Sequence, residues 1–249
     1  MVRTFLVRGM LVGIVAGLLS FGFLKIYGEP QVDRAIAFET QMDEAKAAAE
    51  KAKGMAMPAE EPELVSRPVQ AGLGLFTAVM VYSAAFGGLF ALAFAFAYGR
   101  VSSALSPQVL SALLALIGFI AIYLVPNLKY PANPPSVGNP ETSGIRTTLY
   151  FGMIAISLAA MIGAVAFKRT LTAHYGGWNA TLMVAVYYIA VMIAAGLVLP
   201  AINEVPEGFP AVVLWKFRVA SMGAQIIMWA TLGLLFGALT QRAAALRRA

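Results

Sequence analysis

The sequence predicts an all-α integral membrane protein with about six transmembrane helices. Six apolar runs come close to or exceed the roughly 20 residues that a helix needs to cross a bilayer. The composition agrees, since 60% of the residues are hydrophobic, 12% are charged and the mean hydropathy is +0.77. Soluble proteins carry about 25% charged residues. The runs cover about residues 5–24, 71–98, 109–125, 148–167, 180–199 and 219–239.

Two of these runs carry glycine at every fourth position. Gly9, Gly13 and Gly17 lie in the first run, and Gly233 and Gly237 lie in the sixth. This spacing places the glycines on one helix face, where a neighbouring helix can approach closely. The first run is long and has no small-residue cleavage site after it, so we interpret it as a retained helix and not as a signal peptide.

The periodicity changes after residue 28. An apolar stripe at three-four spacing comprises Ala35, Phe38, Met42, Ala45, Ala49 and Ala52, and a charged stripe beside it comprises Glu39, Asp43, Lys46, Glu50 and Lys53. Such a pattern predicts an amphipathic helix outside the membrane. Residues 55–68 predict a solvated linker rich in proline and glutamate, including Glu60, Glu61 and Glu63. We treat residues 1–249 as a single membrane domain, with residues 28–68 as its outer segment.

Proline-rich segments follow the first, third and fifth runs, whereas the connections after the second and fourth runs are short. Residues 125–147 hold five prolines, and residues 199–218 hold three. Proline blocks helix continuation, and irregular backbone near a membrane survives only where protein buries it or water reaches it. The alternation suggests three helical hairpins in series. The segment 199–218 is a candidate cap or lining for a polar path used by a cation.

The charges divide between the two predicted sides of the membrane. The termini and the short connections hold eight basic residues and no acidic ones: Arg3, Arg8, Arg100, Lys168, Arg169, Arg242, Arg247 and Arg248. Basic residues concentrated in short segments mark the cytoplasmic side. We therefore expect a multi-pass protein of the inner (plasma) membrane with cytoplasmic termini. All twelve carboxylates would then face outward, where they attract cations.

The first candidate metal ligands are Glu204, Asn203 and Glu207. Carboxylate and amide oxygens suit a partly hydrated divalent cation. The alternative is that Glu204 pairs with Arg218 or Lys216 and only fixes the loop.

Glu29 and Asp33 form a second candidate pair, because residues four apart share a helix face. They would form an outer antechamber for the metal. The alternative is that Asp33 and Glu39 flank Arg34 and are solvated or paired. Loop-fixing roles are expected for Arg218, Trp215, Pro206, Pro210, Arg146 and Glu141.

Several function classes are excluded by missing residues. The chain has no cysteine and a single histidine, His174, so it cannot build a thiolate metal site or a bis-histidine haem site on its own. It also lacks a P-loop, an HExxH motif and a nucleophile elbow. We expect neither an enzyme nor a tightly bound cofactor. The net charge of +6 reflects membrane orientation and does not indicate nucleic-acid binding.

Three segments carry a resemblance to a known family. They read GEPQVDRAIAFE from residue 28, LKYPANPPSVGNPET from residue 128, and LPAINEVPEGFPAVVLWKFR from residue 199. In this order they resemble the CbtA family, the predicted membrane subunit of a cobalt transporter. The resemblance implies cobalt uptake for cobalamin biosynthesis, together with a small single-span, histidine-rich partner, CbtB. It implies no established ligand residues.

The sequence thus supports two hypotheses. In the first, the chain is the membrane subunit of a transporter for Co²⁺, or for the similar Ni²⁺. In the second, it is a non-transporting scaffold that assembles a partner protein in the lipid bilayer. The scaffold hypothesis is motivated by the scarcity of polar residues within the spans, which leaves no obvious path for an ion. A pore between copies of the chain, a homo-oligomer, would reconcile the two.

Overall fold

Within residues 1–53, 65–100 and 105–246, which the computed structural model describes, the chain is helical and contains no strand. In this described part of the chain, five helices are long and apolar enough to cross a membrane. They are α1 (Val2–Ala52), α2 (Arg67–Ala97), α3 (Pro107–Lys129), α4 (Ser143–Val198) and α5 (Ala211–Leu246). The all-α membrane class is confirmed at this level. Most of the predicted linker, with Glu60, Glu61 and Glu63, lies outside the described residues, as do Arg247 and Arg248.

Two helices continue through prolines where the sequence predicts interruptions. A π-helical turn at Leu24–Gly28 precedes Pro30, and another at Phe119–Leu124 precedes Pro126. Proline has no backbone N–H, and its ring crowds the carbonyl group four residues earlier. A wider turn relieves that crowding without ending the helix. The amphipathic segment is therefore a direct extension of α1.

Only the first part of the predicted apolar stripe on α1 is packed. Ala35 is fully buried and Phe38 is partly buried, in a cluster with Val137, Phe209 and Val213. The later stripe positions Met42, Ala45 and Ala49 are exposed in the chain by itself. The location of this segment outside the membrane remains a prediction.

The chain divides into two compact units. Unit 1 comprises Met1–Ala115, Asn133–Val137 and Val205–Ala249, and unit 2 comprises Leu116–Ala132 and Gly138–Glu204. In unit 1, the predicted glycine stripe of α1 packs against α2. A Cβ atom on Gly9 would collide with the carbonyl oxygen of Gly87, and one on Gly13 would collide with that of Ser83. The close packing predicted for these glycines is confirmed.

Small residues also join α5 to its neighbours in unit 1. The Ser20 hydroxyl of α1 donates to the Ala224 carbonyl oxygen over 3.1 Å. The Ser111 hydroxyl of α3 donates to the Gly233 carbonyl oxygen over 2.7 Å. A Cβ on Gly237 would lie 2.9 Å from Ser111 Cβ, so the second glycine stripe also marks a close contact.

In unit 2, α4 reverses its direction at Gly176. This glycine has φ 77° and ψ 162°, which is not helical. Ser157 and Tyr188 would lie about 46 Å apart in one straight helix, yet their hydroxyl oxygens are 2.7 Å apart. The two halves of α4 therefore run side by side, and Met153, Ala160, Tyr188 and Met192 form the core between them.

Candidate functional site

Glu29 and Asp33 share one face of α1 and bind the same cation, Arg67, at the start of α2. Arg67 Nη2 lies 2.6 Å from Glu29 Oε2 and 2.8 Å from Asp33 Oδ1. Arg67 Nε also donates to Asp33 Oδ1 over 3.1 Å. The exposed fraction of the side chain is 12% for Glu29, 62% for Asp33 and 25% for Arg67. The pair is therefore close to water on the Asp33 side.

This geometry brings two carboxylates to one cationic centre. A single nitrogen atom lies within hydrogen-bond distance of both, so both oxygen atoms would face a cation placed at that nitrogen's position. Two oxygen ligands from carboxylates, with water completing the shell, are a common arrangement for hydrated divalent cations. In the described part of the chain, no group of three or more histidine, cysteine, aspartate or glutamate residues converges for a metal.

The neighbouring polar residues on α1 have other partners. The Arg34 guanidinium donates to Gln31 Oε1 over 2.9 Å. Glu39 accepts a 3.3 Å hydrogen bond from the Ser136 hydroxyl. The alternative in which Asp33 is paired therefore agrees with the structure, but the partner of Asp33 is Arg67 and not the adjacent Arg34.

Glu204 lies in the irregular segment before α5, where it accepts two hydrogen bonds and forms one ion pair, all with residues of unit 2. Its Oε1 accepts from the Thr142 hydroxyl over 2.6 Å. Its Oε2 accepts from the Asn139 backbone N–H over 2.7 Å and lies 3.5 Å from Arg146 Nε. The Thr142 and Asn139 hydrogen bonds, followed by the charge of Arg146, hold the pKa of Glu204 below its ordinary value. The carboxylate is kept ionised and its partner is Arg146, where the sequence suggested Arg218 or Lys216.

The Arg146 side chain requires glycine at position 138. Gly138 has φ +127°, and a Cβ there would overlap the guanidinium of Arg146. Arg146 Nη2 also donates to the Asn139 carbonyl oxygen over 3.0 Å. Glu204 and Arg146 together therefore fix the proline-rich segment that precedes α4.

The other predicted loop-fixing residues have local roles. Pro206 accepts from the Phe209 N–H over 3.2 Å in a turn, and Pro210 accepts from the Val213 N–H over 2.9 Å as the N-cap of α5. The Glu141 backbone N–H donates to Asn139 Oδ1 over 3.0 Å, so the backbone of Glu141 makes this contact.

The remaining candidates are near the protein surface. Arg218 Nη2 donates to Asn133 Oδ1 over 2.8 Å. Trp215 is 69% exposed, and the side chains of Asn203 and Glu207 are exposed as well. His174 is exposed, with its Nδ1 3.0 Å from the Thr170 carbonyl oxygen. The metal-binding roles of Asn203, Glu204 and Glu207 remain predictions.

Sequence reasoning missed three important partners, Arg67, Thr142 and Asn139. Arg67 lies 38 residues from Glu29, and no motif joins them. One feature of the sequence could have indicated the contact between Glu29 and Arg67. If the first two apolar runs pair as antiparallel helices, the end of the first run lies beside the start of the second. Lys25 Nζ, which donates to the Ala71 carbonyl oxygen over 2.9 Å, confirms this arrangement.

Comparison with known proteins gives one match. A family model described as "Probable cobalt transporter subunit (CbtA)" matches residues 2–241 of the 249-residue chain. No curated protein and no solved structure matches the chain. The match covers nearly the whole sequence, and it includes all three segments on which the resemblance was based. The chain therefore belongs to the CbtA family of probable cobalt transporter subunits.

Proposed function

We propose that this chain is the membrane-embedded subunit of a cobalt uptake system that captures Co²⁺ at outward-facing carboxylates. The family match carries the assignment to cobalt transport. The role of a transporter subunit is not an enzymatic one, and it implies a partner subunit and a lipid environment. Uptake for cobalamin biosynthesis would be consistent with that role.

Glu29 and Asp33 are the first contact for the metal in this proposal. Arg67 occupies the pair until Co²⁺ arrives, and the metal replaces the guanidinium between the two carboxylates. Exchange costs least on the Asp33 side, because that carboxylate is exposed and exposed ion pairs contribute only about 0–1 kcal/mol. At the less exposed Glu29, the arriving cation replaces the charge of Arg67. Co²⁺ keeps water as its remaining ligands, so that it can leave the pair again. Oxygen ligands also accept Ni²⁺, so selectivity depends on geometry.

We further propose six membrane crossings, with α4 contributing two because it reverses at Gly176. Both termini then lie in the cytoplasm and the protein resides in the inner (plasma) membrane. The cysteine-free chain suits a direct test. Single cysteines at Ala48 and Ala173 should react from opposite sides of the membrane with an impermeant maleimide, and reaction from the same side would contradict the six-span topology.

The partner that fits this role is a small single-span subunit with a histidine-rich segment, of the CbtB type. The chain has one histidine, and histidines on a partner would add the nitrogen ligands that it lacks. Co²⁺ accepts nitrogen as well as oxygen ligands. The metal could then pass from the carboxylate pair to the partner.

A scaffold without transport activity is the second candidate. Its support is that three of the polar side chains buried between the described helices are serines whose hydroxyls are already bonded. Ser20 and Ser111 donate to backbone carbonyls, and Ser157 bonds Tyr188. These contacts stabilise helix packing and leave no evident chain of free ligands through the described helices.

Proteoliposomes separate the two functions. Vesicles containing the full-length chain, with and without its partner subunit, would be loaded with a Co²⁺-sensitive dye. We expect dye quenching upon external Co²⁺ addition, and control vesicles lacking protein should remain unquenched. Quenching in neither preparation would contradict the transport proposal and favour the scaffold.

A further inference from the structure

Unit 1 contains a groove beside the π-helical turn of α1 and the first turns of α5. Its volume is about 450 Å³, and its lining includes Phe23, Ile26, Tyr27, Arg34, Trp215 and Lys216. The helices are held together just below it. Gly223 lies against the Phe23 ring, which a Cβ at that position would approach to 2.5 Å, and Ser20 bonds Ala224. The groove is therefore built into the helix pair.

The groove has a polar end and an apolar end. Along α1 the lining passes from Phe23 and Ile26 to Arg34, and along α5 it passes in the opposite direction from Lys216 to Val219. The apolar run of α1 ends near residue 24, and that of α5 begins near residue 219. The polar end thus lies at the membrane surface, and the apolar end lies toward the hydrocarbon core.

The polar end of the groove is lined by basic side chains. The lining contains two cations and no acidic residue. Arg34 donates to the neutral side chain of Gln31. Among the residues that the structure describes, neither Arg34 nor Lys216 forms an ion pair. The nearby carboxylates of Glu29 and Asp33 face Arg67, which offsets one of their two negative charges.

The walls favour an amphiphilic ligand. Ile26 is 66% exposed, Tyr27 57% and Trp215 69% in the chain by itself. Tyrosine and tryptophan prefer the level of the lipid headgroups. An anionic headgroup is attracted to basic side chains at the membrane surface, each of which contributes on the order of 1 kcal/mol.

We propose that this groove binds an anionic phospholipid. The phosphodiester lies between Arg34 and Lys216, and an acyl chain follows Ile26 and Val219 into the bilayer. The site is independent of metal capture, because it uses neither Glu29 nor Asp33. It would anchor α1 to α5 next to the carboxylate pair.

Tryptophan quenching tests the proposal on the full chain. The sequence has three tryptophans, so replacing Trp178 and Trp229 with phenylalanine leaves Trp215 as the reporter. Two nanodisc preparations would contain the same mixture of phosphatidylglycerol and phosphatidylcholine. Phosphatidylglycerol would be brominated in the first preparation and phosphatidylcholine in the second. We expect stronger quenching of Trp215 by brominated phosphatidylglycerol. Arg34→Gln and Lys216→Gln should each reduce the preference about fivefold, whereas Arg34→Lys should retain it.

A matched control removes two charges at the C-terminal end of α1, through Lys51→Gln with Lys53→Gln, and should leave the preference unchanged. Native mass spectrometry of lipid retained by the chain with all its tryptophans repeats the comparison without the reporter substitutions. Equal quenching by both lipids would overturn the proposal. That result is expected if the groove receives a partner helix instead of a lipid. A preference that survives Arg34→Gln combined with Lys216→Gln would also overturn it.

Discussion

The carboxylates of Glu29 and Asp33 differ from that of Glu204 in what binds them. Among the residues that the structure describes, the first two pair with Arg67, through contacts at the end of its flexible side chain. Glu204 accepts hydrogen bonds from a backbone N–H and a hydroxyl, and it also pairs with the Arg146 guanidinium. An arginine side chain can move aside for another cation, but a backbone N–H cannot. In our proposal, Glu29 and Asp33 therefore form the exchangeable cation site, and the contacts of Glu204 with Asn139, Thr142 and Arg146 form a structural anchor.

Breaking the anchor should give the largest change in stability. Gly138→Ala would place a Cβ against the Arg146 guanidinium at φ +127°. We expect a loss of about 1–3 kcal/mol from backbone strain, measured as a lower thermal midpoint in detergent.

Gly144→Ala provides the matched control for that substitution, because a Cβ at Gly144 meets nothing within 4 Å. A midpoint that falls equally in both variants would contradict the anchor role of the Gly138–Arg146 contact.

The anchor should also respond to acid. The pKa of Glu204 is lowered in the folded chain, so its stabilising contribution is present above the ordinary carboxyl pKa. That contribution is lost as the pH falls through the lowered value. We expect the thermal midpoint of Glu204→Gln to fall less than that of the unmodified chain between pH 6 and pH 3. Parallel curves would contradict the assignment.

Removing Arg67 should give a smaller change at the exchangeable site. Arg67→Gln eliminates the competing cation while both carboxylates remain. We expect the KM for cobalt uptake to fall about two- to fivefold, in line with the roughly 0–1 kcal/mol of an exposed ion pair such as that of Asp33. Arg100→Gln, at the other end of α2, should leave KM unchanged. An increased KM in Arg67→Gln would indicate that Arg67 orients the carboxylates and does not compete with the metal.

The features that could be predicted were those that depend on residues close together in the sequence. Apolar length identified helices able to cross a membrane, although the fourth and fifth of the six predicted runs lie in one helix, α4, among the five found in the described residues. Four-residue spacing identified the packed glycines of α1 and α5. The same spacing placed Glu29 and Asp33 on one face. Prolines correctly marked the irregular residues before α5, but Pro30 and Pro126 did not end their helices, because π-helical turns accommodate them.

Partners that are distant in sequence could not be predicted. Arg146 lies 58 positions before Glu204, whereas the expected partners Arg218 and Lys216 are closer in the chain. The bond that Thr142 donates spans 62 residues. These contacts depend on how the proline-rich segment folds, which in turn depends on the positive φ of Gly138. No residue spacing encodes that geometry.

The most direct test of the exchangeable site is uptake of radiolabelled ⁵⁷Co²⁺ by cells that express the full-length chain with its partner. Combining Glu29→Gln with Asp33→Asn should reduce uptake about tenfold or more at limiting cobalt, since weaker changes around metal ligands already cost 10–100-fold. The charge-matched control, Glu44→Gln with Glu50→Gln on the same helix, should transport normally at equal expression. Unchanged uptake in the Glu29/Asp33 variant would contradict cation capture by this pair.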